Sequence, residues 1–159
     1  MSAKLRGAIP THPSAQVQTV LRWLEALSDG DIETLNELLA PEFESRMGPE
    51  SVKKPANSKE ASLEFLKALN KQLFTEMSFD IHEIIEGEGR VVVHLTTDGK
   101  TITNHPYKHK LIQIHHLKSE GGKLQITSVF EFMDSLYVAG AFAAEKERQT
   151  AIGLEPTIF

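Results

Sequence analysis

One carboxylate near the end of the chain stands out because its neighbours are aromatic. The segment SVFEFMDS places Glu131 between Phe130 and Phe132, with Asp134 three residues further on. A carboxyl group held among apolar walls has a raised pKa, whereas a nearby imidazolium lowers that pKa, so such a pair can be poised near neutrality. The pair would suit proton transfer, in which one group accepts a proton and another donates one. Seven histidines in the chain could supply the imidazole.

Both acids also have an interpretation that involves no chemistry. Glu131 could lie on an exposed strand edge, where its carboxylate is solvated or paired with Lys110 or Lys123. Asp134 could cap the helix that follows it, because aspartate is among the favoured N-cap residues. A decision between an enzyme pocket and an ordinary strand edge therefore depends on the elements that position these side chains.

Hydrophobic periodicity divides the chain into a helical part and a strand-rich part. Apolar residues recur at helical intervals after Pro13, after Asp31 and after the segment 57–60, which resembles a capping box. From Met77 the period changes to two, and the turn signals EGEG, DGK and SEGGK separate four strand-like stretches. Such turns predict antiparallel neighbours, and Asp134 then opens a closing helix. This order predicts an α+β fold in which a curved sheet wraps helices and leaves a cavity.

The last predicted strand has two faces, and alternation alone does not decide which one is buried. One face carries Thr127, Val129, Glu131 and Met133, and the other carries Ile126, Ser128, Phe130 and Phe132. Hydrophobicity by itself selects the phenylalanine face as the buried one.

Length and composition fit one ordinary globular domain. The chain has 159 residues, of which 40% are hydrophobic and 25% are charged. We expect a flexible N-terminal arm over residues 1–12, the domain over residues 13–149 and a C-terminal tail over residues 150–159. The net charge of −5 argues against nucleic acid or an anionic membrane as a partner.

Several classes of site find no support in the sequence. The chain has no cysteine, which excludes disulfides, thiolate metal sites and a cysteine nucleophile. It carries no Gly-rich phosphate loop and no Gly-x-Ser-x-Gly elbow. Its start lacks the apolar core of a signal peptide, and its longest apolar run, 136–144, is too short to span a bilayer. We therefore expect a cytoplasmic protein.

The segment HPYKHKLIQIHHLKSEGGKLQITSVFEFMDSLY resembles the NTF2-like superfamily and, more narrowly, its SnoaL-like polyketide cyclases and fungal isomerases of terpenoid and polyketide pathways. Those proteins carry a Pro-Tyr-x-Asn-Glu-Tyr strand, a Gly-Lys turn and a Glu-Phe-Val-Asp-Ser ending, which is similar to residues 131–135. The resemblance covers about residues 15–145. It implies an NTF2-like cone, in which a curved antiparallel or mixed sheet wraps three N-terminal helices and a C-terminal helix follows. Two positions depart from the pattern, since residues 109–111 read His-Lys-Leu and Leu39 stands where fungal isomerases often carry arginine.

The same resemblance implies a set of site residues. The resemblance implies that the Glu131 face of the last strand points toward the cavity. The aromatic face would then lie on the outer side of the sheet, at a homodimer interface. His82 stands where these relatives carry an inward-facing histidine, so it would be the general base or acid, with Glu131 as its proton-transfer partner. Residues expected to orient polar groups of the substrate are Tyr107, His109 and Gln113, and His115 would lie on the same inward face. Residues expected to shape the apolar wall are Trp23, Phe43, Leu111 and Val129.

Together these features predict a cofactor-independent isomerase or cyclase of secondary metabolism that uses general acid–base catalysis on a bulky, apolar polyketide or terpenoid intermediate. No metal is expected: two histidines and a carboxylate match a facial triad in kind, but no short His-x-His motif accompanies them. The alternative function is a non-catalytic NTF2-like protein that binds a small molecule or only dimerises. Among single residues, His82 could be a structural histidine bonded to Asp80, His109 a solvent-reaching rim residue and Trp23 a helix-packing residue.

Overall fold

The computed structural model describes residues 4–156, in which four α-helices lie against one seven-stranded sheet. The helices are α1 (Ala15–Asp29), α2 (Ile32–Leu38), α3 (Lys59–Gln72) and α4 (Ser135–Ala151). The strands are β1 (Leu5–Gly7), β2 (Leu39–Gly48), β3 (Asn57–Ser58), β4 (Phe74–Gly87), β5 (Arg90–Thr101), β6 (Pro106–Glu120) and β7 (Lys123–Met133). A short 3₁₀ turn, Glu50–Val52, follows β2. The predicted order of three helices, a four-stranded meander and a closing helix is confirmed.

Each helix begins after a polar side chain that caps it. The capping residues are Ser14, Asp31, Ser58 and Asp134, and each accepts a hydrogen bond from the backbone N–H three residues further on. This is the usual way to satisfy a free donor at a helix N-terminus. The interpretation of Asp134 as a helix cap is therefore confirmed. None of the helices within residues 4–156 is long and apolar enough to cross a membrane.

The sheet is mixed and curved. Its strand order is β1-β4-β5-β6-β7-β2-β3, and β4 to β7 form the predicted antiparallel meander. The pairs β1–β4 and β2–β7 are parallel. Helix α1 contacts β4, β5 and also β7, which lies three strands away from β4, so the sheet curves around this helix. We call the side that faces the helices the concave face and the opposite side the outer face.

Apolar side chains fill one end of the space inside this curve. Val20 and Leu24 of α1 and Leu35 of α2 belong to one core with Leu95 and Ile126 of the sheet, and none of the five is more than 1% exposed. The helical spacing of the apolar residues puts them on the side of each helix that faces the sheet. Helices α3 and α4 cover the other end, where a cavity remains.

The edge strand β1 lies in the segment that the sequence suggested would be a flexible arm. Residues 5–7 instead pair in parallel with β4, and the Leu5 side chain is buried in the core. Gly7 permits this approach, because a side-chain carbon there would lie 2.1 Å from the carbonyl oxygen of Ile81. At the other end of the chain, α4 continues to Ala151, two residues beyond the expected domain boundary.

Candidate functional site

A cavity of about 560 Å³ opens between the concave face of the sheet and helices α3 and α4. Pockets that bind small molecules usually have volumes of about 300–1,000 Å³. Apolar side chains form most of the wall, among them Phe65, Leu69, Phe74, Phe79, Leu111, Met133 and Phe142. Within residues 4–156, the charged side chains on this wall are Glu131 and Lys54. The cavity therefore offers a largely apolar environment in which one carboxyl group is held.

Glu131 faces this cavity because of its place in β7. Its partners in register are Gln113 on β6 and Met47 on β2, and all three side chains line the cavity. Nε2 of Gln113 donates a hydrogen bond to Oε1 of Glu131 over 2.5 Å. Removal from water raises the pKa of Glu131, and the bond from Gln113 opposes part of that rise. Glu131 therefore holds its proton to a higher pH than an exposed glutamate does.

The alternative of an exposed, ion-paired strand edge does not describe Glu131. Within residues 4–156 its carboxylate forms no ion pair with Lys110 or Lys123, and its hydrogen bond goes to a buried amide. The phenylalanine side of β7 is the one that faces outward, with Phe132 half exposed.

Strand β6 contributes a row of inward-facing side chains, because alternate residues of a strand share a face. Tyr107, His109, Leu111 and Gln113 all line the cavity, and the residues between them are exposed. Burial raises the pKa of Tyr107, and the charge of nearby Glu131 raises it further. The phenol therefore keeps its proton at neutral pH and can donate a hydrogen bond.

His109 presents an unused ring nitrogen in this row. Its Nδ1 is buried and has no hydrogen-bond partner among residues 4–156. The ring centre lies 5.1 Å from that of Tyr107 and 5.9 Å from that of Tyr137, which stacks on it at 20°. Burial lowers the pKa of His109, against an opposing effect of Asp134. The ring is therefore uncharged at neutral pH, and its Nδ1 can form a hydrogen bond with a polar atom of a ligand.

The expectation that His82 faces the cavity is wrong. Its Nε2 lies 2.7 Å from Oγ1 of Thr96, whereas the next residue on β5, Thr97, lines the cavity, so His82 and Thr96 occupy the outer face. The His82 ring is also exposed. The side chains of Phe79 and Ile81 on the same strand are buried in the core, so alternation along β4 directs His82 to the opposite side. The inward position that the family resemblance implied for this histidine therefore does not hold in this chain.

Three further positions expected near a ligand lie in the apolar core instead. Trp23, Phe43 and Val129 are at most 4% exposed and belong to the core rather than to the cavity wall. Leu39, which stands in place of an arginine, is fully buried in the same core. The helix-packing interpretation of Trp23 is the correct one. The cavity thus lies closer to α4 and farther from α1 than the sequence indicated.

His82, His109 and Glu131 do not form a metal site, because His82 lies on the other side of the sheet from the cavity. No group of three or more histidine, aspartate or glutamate side chains in residues 4–156 is arranged to hold a metal ion. The hydrogen bond of His82 goes to Thr96 rather than to Asp80. The facial triad considered for these three residues is therefore excluded by where they lie.

The fold and the cavity can be set beside known protein families. The model of the SnoaL-like domain matches residues 20–139, which is most of the chain. The chain belongs to the SnoaL-like domain family. No curated protein matches this SnoaL-like sequence.

Solved structures share the SnoaL-like architecture at low sequence identity. BvnE pinacolase from Penicillium brevicompactum is 22% identical, with a TM-score of 0.71 over 84% of this chain and 94% of that one. AusH from Aspergillus nidulans is 22% identical, with a TM-score of 0.65 over 78% and 88% of the two chains. PrhC from Penicillium brasilianum is 13% identical, with a TM-score of 0.73 over 86% and 91%. These similarities confirm the NTF2-like α+β fold.

In this SnoaL-like protein the closing helix is a wall of the cavity, a role that the sequence did not reveal. The residues of α4 that line the cavity are Ser135, Leu136, Val138, Ala139 and Phe142. The phenol oxygen of Tyr137 accepts a hydrogen bond of 2.8 Å from the backbone N–H of Lys108 and so fixes the start of α4 against β6. The available signal was the spread of apolar residues around several sides of α4 instead of along one stripe.

Proposed function

We propose that this SnoaL-like protein is a cofactor-independent isomerase or cyclase that acts by general acid–base catalysis on a bulky, mainly apolar polyketide or terpenoid intermediate. The observation that carries the proposal is the carboxyl group of Glu131, which lies in an apolar cavity with its pKa raised by burial. Membership of the SnoaL-like domain family supports it. BvnE, which shares the fold, is a pinacolase by name, so this architecture houses at least one enzyme.

Glu131 can carry both halves of a proton transfer in this proposal. Only its Oε1 is engaged by a side chain of residues 4–156, so Oε2 is available to a substrate. The carboxylate removes a proton from a carbon beside a carbonyl group, and the electrons of that C–H bond move onto the carbonyl oxygen. The protonated Glu131 then returns the proton to a different atom, which gives an isomer or accompanies ring closure. No oxidant, reductant or second substrate is consumed.

Tyr107 and His109 would stabilise the charge that develops on the substrate oxygen. Both line the cavity and both are uncharged at neutral pH, so either can take part in a hydrogen bond without adding a competing charge. The hydrogen-bonding gain is largest in a site that excludes water, and the apolar wall supplies that condition. His82, placed on the outer face, has no part in this mechanism.

Incubation of the purified protein with a panel of polyketide and terpenoid intermediates tests the proposal. Analysis by liquid chromatography and mass spectrometry should show a product of unchanged mass and altered retention time, since isomerisation and cyclisation conserve atoms. The product should be absent when Glu131→Gln replaces the wild-type protein. A panel member that binds saturably but stays unchanged would contradict catalysis of that compound.

The second candidate is a non-catalytic protein that binds a small molecule in the same cavity. The observation that favours it is the position of His82, the histidine expected beside Glu131, which lies on the outer face instead. Saturable binding of a natural product, with Glu131→Gln binding as tightly as the wild type and no product at any protein concentration, would support this function over catalysis.

We also propose that the outer face mediates homodimerisation. Three large apolar side chains on that face stay exposed: Ile85 (55%), Ile112 (41%) and Phe132 (50%). Contiguous exposed apolar surface of this kind is typical of interaction sites. A second copy of the chain would cover the same patch on both subunits.

Phe132→Asp should weaken self-association at least about 10-fold, because a charge replaces the aromatic side chain of the patch. Light scattering coupled to size-exclusion chromatography over a concentration series measures the effect. Ile152→Asp is the matched control, since Ile152 is also exposed (65%) but lies at the end of α4. A wild-type protein that is monomeric throughout the series would contradict the dimer.

A further inference from the structure

Gln113 lies between Glu131 and a histidine that the proposed mechanism does not use. Its Nε2 donates to Oε1 of Glu131 over 2.5 Å, and its Oε1 lies 3.2 Å from Nε2 of His115. Gln113 is 2% exposed and His115 is fully buried. Because residues 113 and 115 are alternate positions on β6, both side chains point to the concave face. The three groups therefore form a line from the core to the cavity wall.

The orientation of the Gln113 amide decides whether the ionised or the protonated form of Glu131 is favoured. An amide has a donor end and an acceptor end, and the two ends have nearly the same shape. With the NH₂ end toward Glu131, the ionised carboxylate is stabilised. With the ends exchanged, two oxygens would face each other, and Glu131 would have to keep its proton. Whatever holds the amide in one orientation therefore influences the protonation of Glu131.

His115 is placed to hold that orientation. Burial lowers the pKa of His115 to about 3, with a smaller effect from His116, so its ring is neutral and carries one N–H. If that hydrogen is on Nε2, it donates to Oε1 of Gln113, and the NH₂ end must then face Glu131. Nδ1 of His115 is left bare, which agrees with its having no hydrogen-bond partner among residues 4–156. The ring itself is held at its edge by Trp23, whose centre lies 5.0 Å away at 76°.

We propose that His115 is a positioning residue for Glu131: its Nε2–H fixes the Gln113 amide so that the NH₂ group donates to Oε1 of Glu131 and Oε2 stays free for the substrate. The inference deepens the proposed function and rests on it, because it concerns the same carboxyl group. Its consequence is that Glu131 remains able to lose its proton in a cavity that otherwise favours the neutral acid.

A measurement on the wild-type protein tests the tautomer directly. ¹⁵N NMR of the histidine rings should show His115 as a neutral Nε2–H tautomer that does not change between pH 5 and pH 8. An Nδ1–H tautomer would overturn the inference, since Nε2 would then be an acceptor and Gln113 would have to turn its NH₂ group away from Glu131. This experiment needs no variant and does not depend on a known substrate.

A titration of Glu131 tests the consequence. In protein carrying ¹³C at the glutamate side-chain carboxyl, His115→Phe should raise the titration midpoint of Glu131, because the amide loses the partner that orients it. Gln113→Met should raise the midpoint further, since it removes the hydrogen bond altogether. His116→Phe is the matched control, because His116 is the exposed next residue of β6 and should leave the midpoint unchanged.

The outcomes of the titration separate the two ideas. A wild-type midpoint at or below that of an ordinary glutamate would contradict the proposed function. A raised wild-type midpoint that His115→Phe leaves in place would overturn the role of His115 and keep the proposed function. Tyr107 and His109 line the same cavity, and their own ¹³C and ¹⁵N signals show whether they titrate in the same range. If His115→Phe does not fold, the tautomer of the wild-type ring decides.

Discussion

Glu131→Gln should lower turnover at least about 100-fold, because general acid–base catalysis contributes about 10²–10⁴ in rate. Glutamine has almost the same shape as glutamate and can still accept a hydrogen bond from Gln113, but it cannot take up or release a proton. The loss should appear in kcat more than in KM, since the apolar wall that binds the substrate is unchanged. Steady-state kinetics on an intermediate that the wild-type protein converts measures both constants.

The pH profile of the wild-type enzyme provides a second mark of Glu131. If the Glu131 carboxylate starts as the base, the enzyme loses activity as the pH falls below the pKa of Glu131, which gives the profile an acidic limb. Burial raises this pKa, so the acidic limb lies at a higher pH than an exposed glutamate would give. If Glu131 starts as the acid, activity is lost as the pH rises through the same pKa. Either profile should lose this limb in Glu131→Gln.

The substitution Glu131→Gln should lower turnover without lowering the stability of the fold. Because the pKa of Glu131 is raised in the folded state, the folded protein keeps this proton where the unfolded chain has lost it. Stability therefore falls as the pH rises from the unfolded pKa through the folded one. At a pH above the folded-state pKa of Glu131, Glu131→Gln removes a buried charge and should leave the melting temperature equal or higher. A site residue that is retained at the expense of stability is typical of function.

His82→Ala is the matched control for this experiment. His82 was the histidine that the sequence placed beside Glu131, but it bonds to Thr96 on the outer face. Its loss should change turnover by less than about threefold, in keeping with a surface substitution away from the site. A wild-type rate in Glu131→Gln with the fold intact would remove the basis for acid–base catalysis. A large loss in His82→Ala would mean that the outer face takes part in the reaction.

The elements were predictable because their signals are local. Helical spacing, capping residues and turn sequences each depend on a few neighbouring residues, and the caps at Asp31 and Asp134 lie where the sequence indicated. The inward face of β6 was also predictable, because alternation holds without interruption along that strand from Tyr107 to His115. The NTF2-like resemblance selected which face of β7 is buried, which hydrophobicity alone had assigned the other way.

The candidate site was predictable only in part, because two of its determinants are not local. Which face of β4 turns toward the helices depends on how the sheet packs, and the structure buries Phe79 and Ile81 and leaves His82 on the outer face. The position of the cavity depends on how α3 and α4 close over the sheet, which a strand pattern does not contain. For that reason Trp23 and Val129 were placed at the wall although they belong to the core. The line from His115 through Gln113 to Glu131 needed the register of β6 against β7.

A buried carboxylate outside the cavity holds the closing helix in place. Glu145 of α4 is fully buried. Its Oε1 accepts from the backbone N–H of Thr103 (3.2 Å) and from Nε2 of Gln149 (3.0 Å). Its Oε2 accepts from the hydroxyl of Thr103 (2.6 Å) and from the guanidinium of Arg148 (2.8 Å). These bonds tie α4, and with it one wall of the cavity, to the turn between β5 and β6.

Glu145→Gln should destabilise the protein by about 2–3 kcal/mol at pH 7, the range expected when a buried, charge-assisted hydrogen-bond network loses its acceptor. Every group around the carboxylate donates a hydrogen bond to it. The NH₂ group of a glutamine would therefore face one of these donors, and neither group would have an acceptor there. Urea unfolding followed by circular dichroism measures the difference. Glu147→Gln is the matched control, because Glu147 is exposed on the same helix and should change stability by less than about 0.5 kcal/mol.

The contribution of Glu145 should also depend on pH in a defined direction. Burial alone would raise its pKa, but the hydrogen bonds from Thr103, Gln149, Thr101 and Arg148 hold the pKa of Glu145 at about 2. Because this lies below the value of 4.5 for an unperturbed glutamate, the stabilisation is complete above pH 4.5 and is lost as the pH falls toward 2. The gap between the wild type and Glu145→Gln should therefore be smaller at pH 3 than at pH 7. An equal difference in unfolding free energy at pH 3 and pH 7 would mean that α4 is not held by an ionised Glu145 carboxylate. The stabilisation by an ionised carboxylate must weaken when that carboxylate gains a proton.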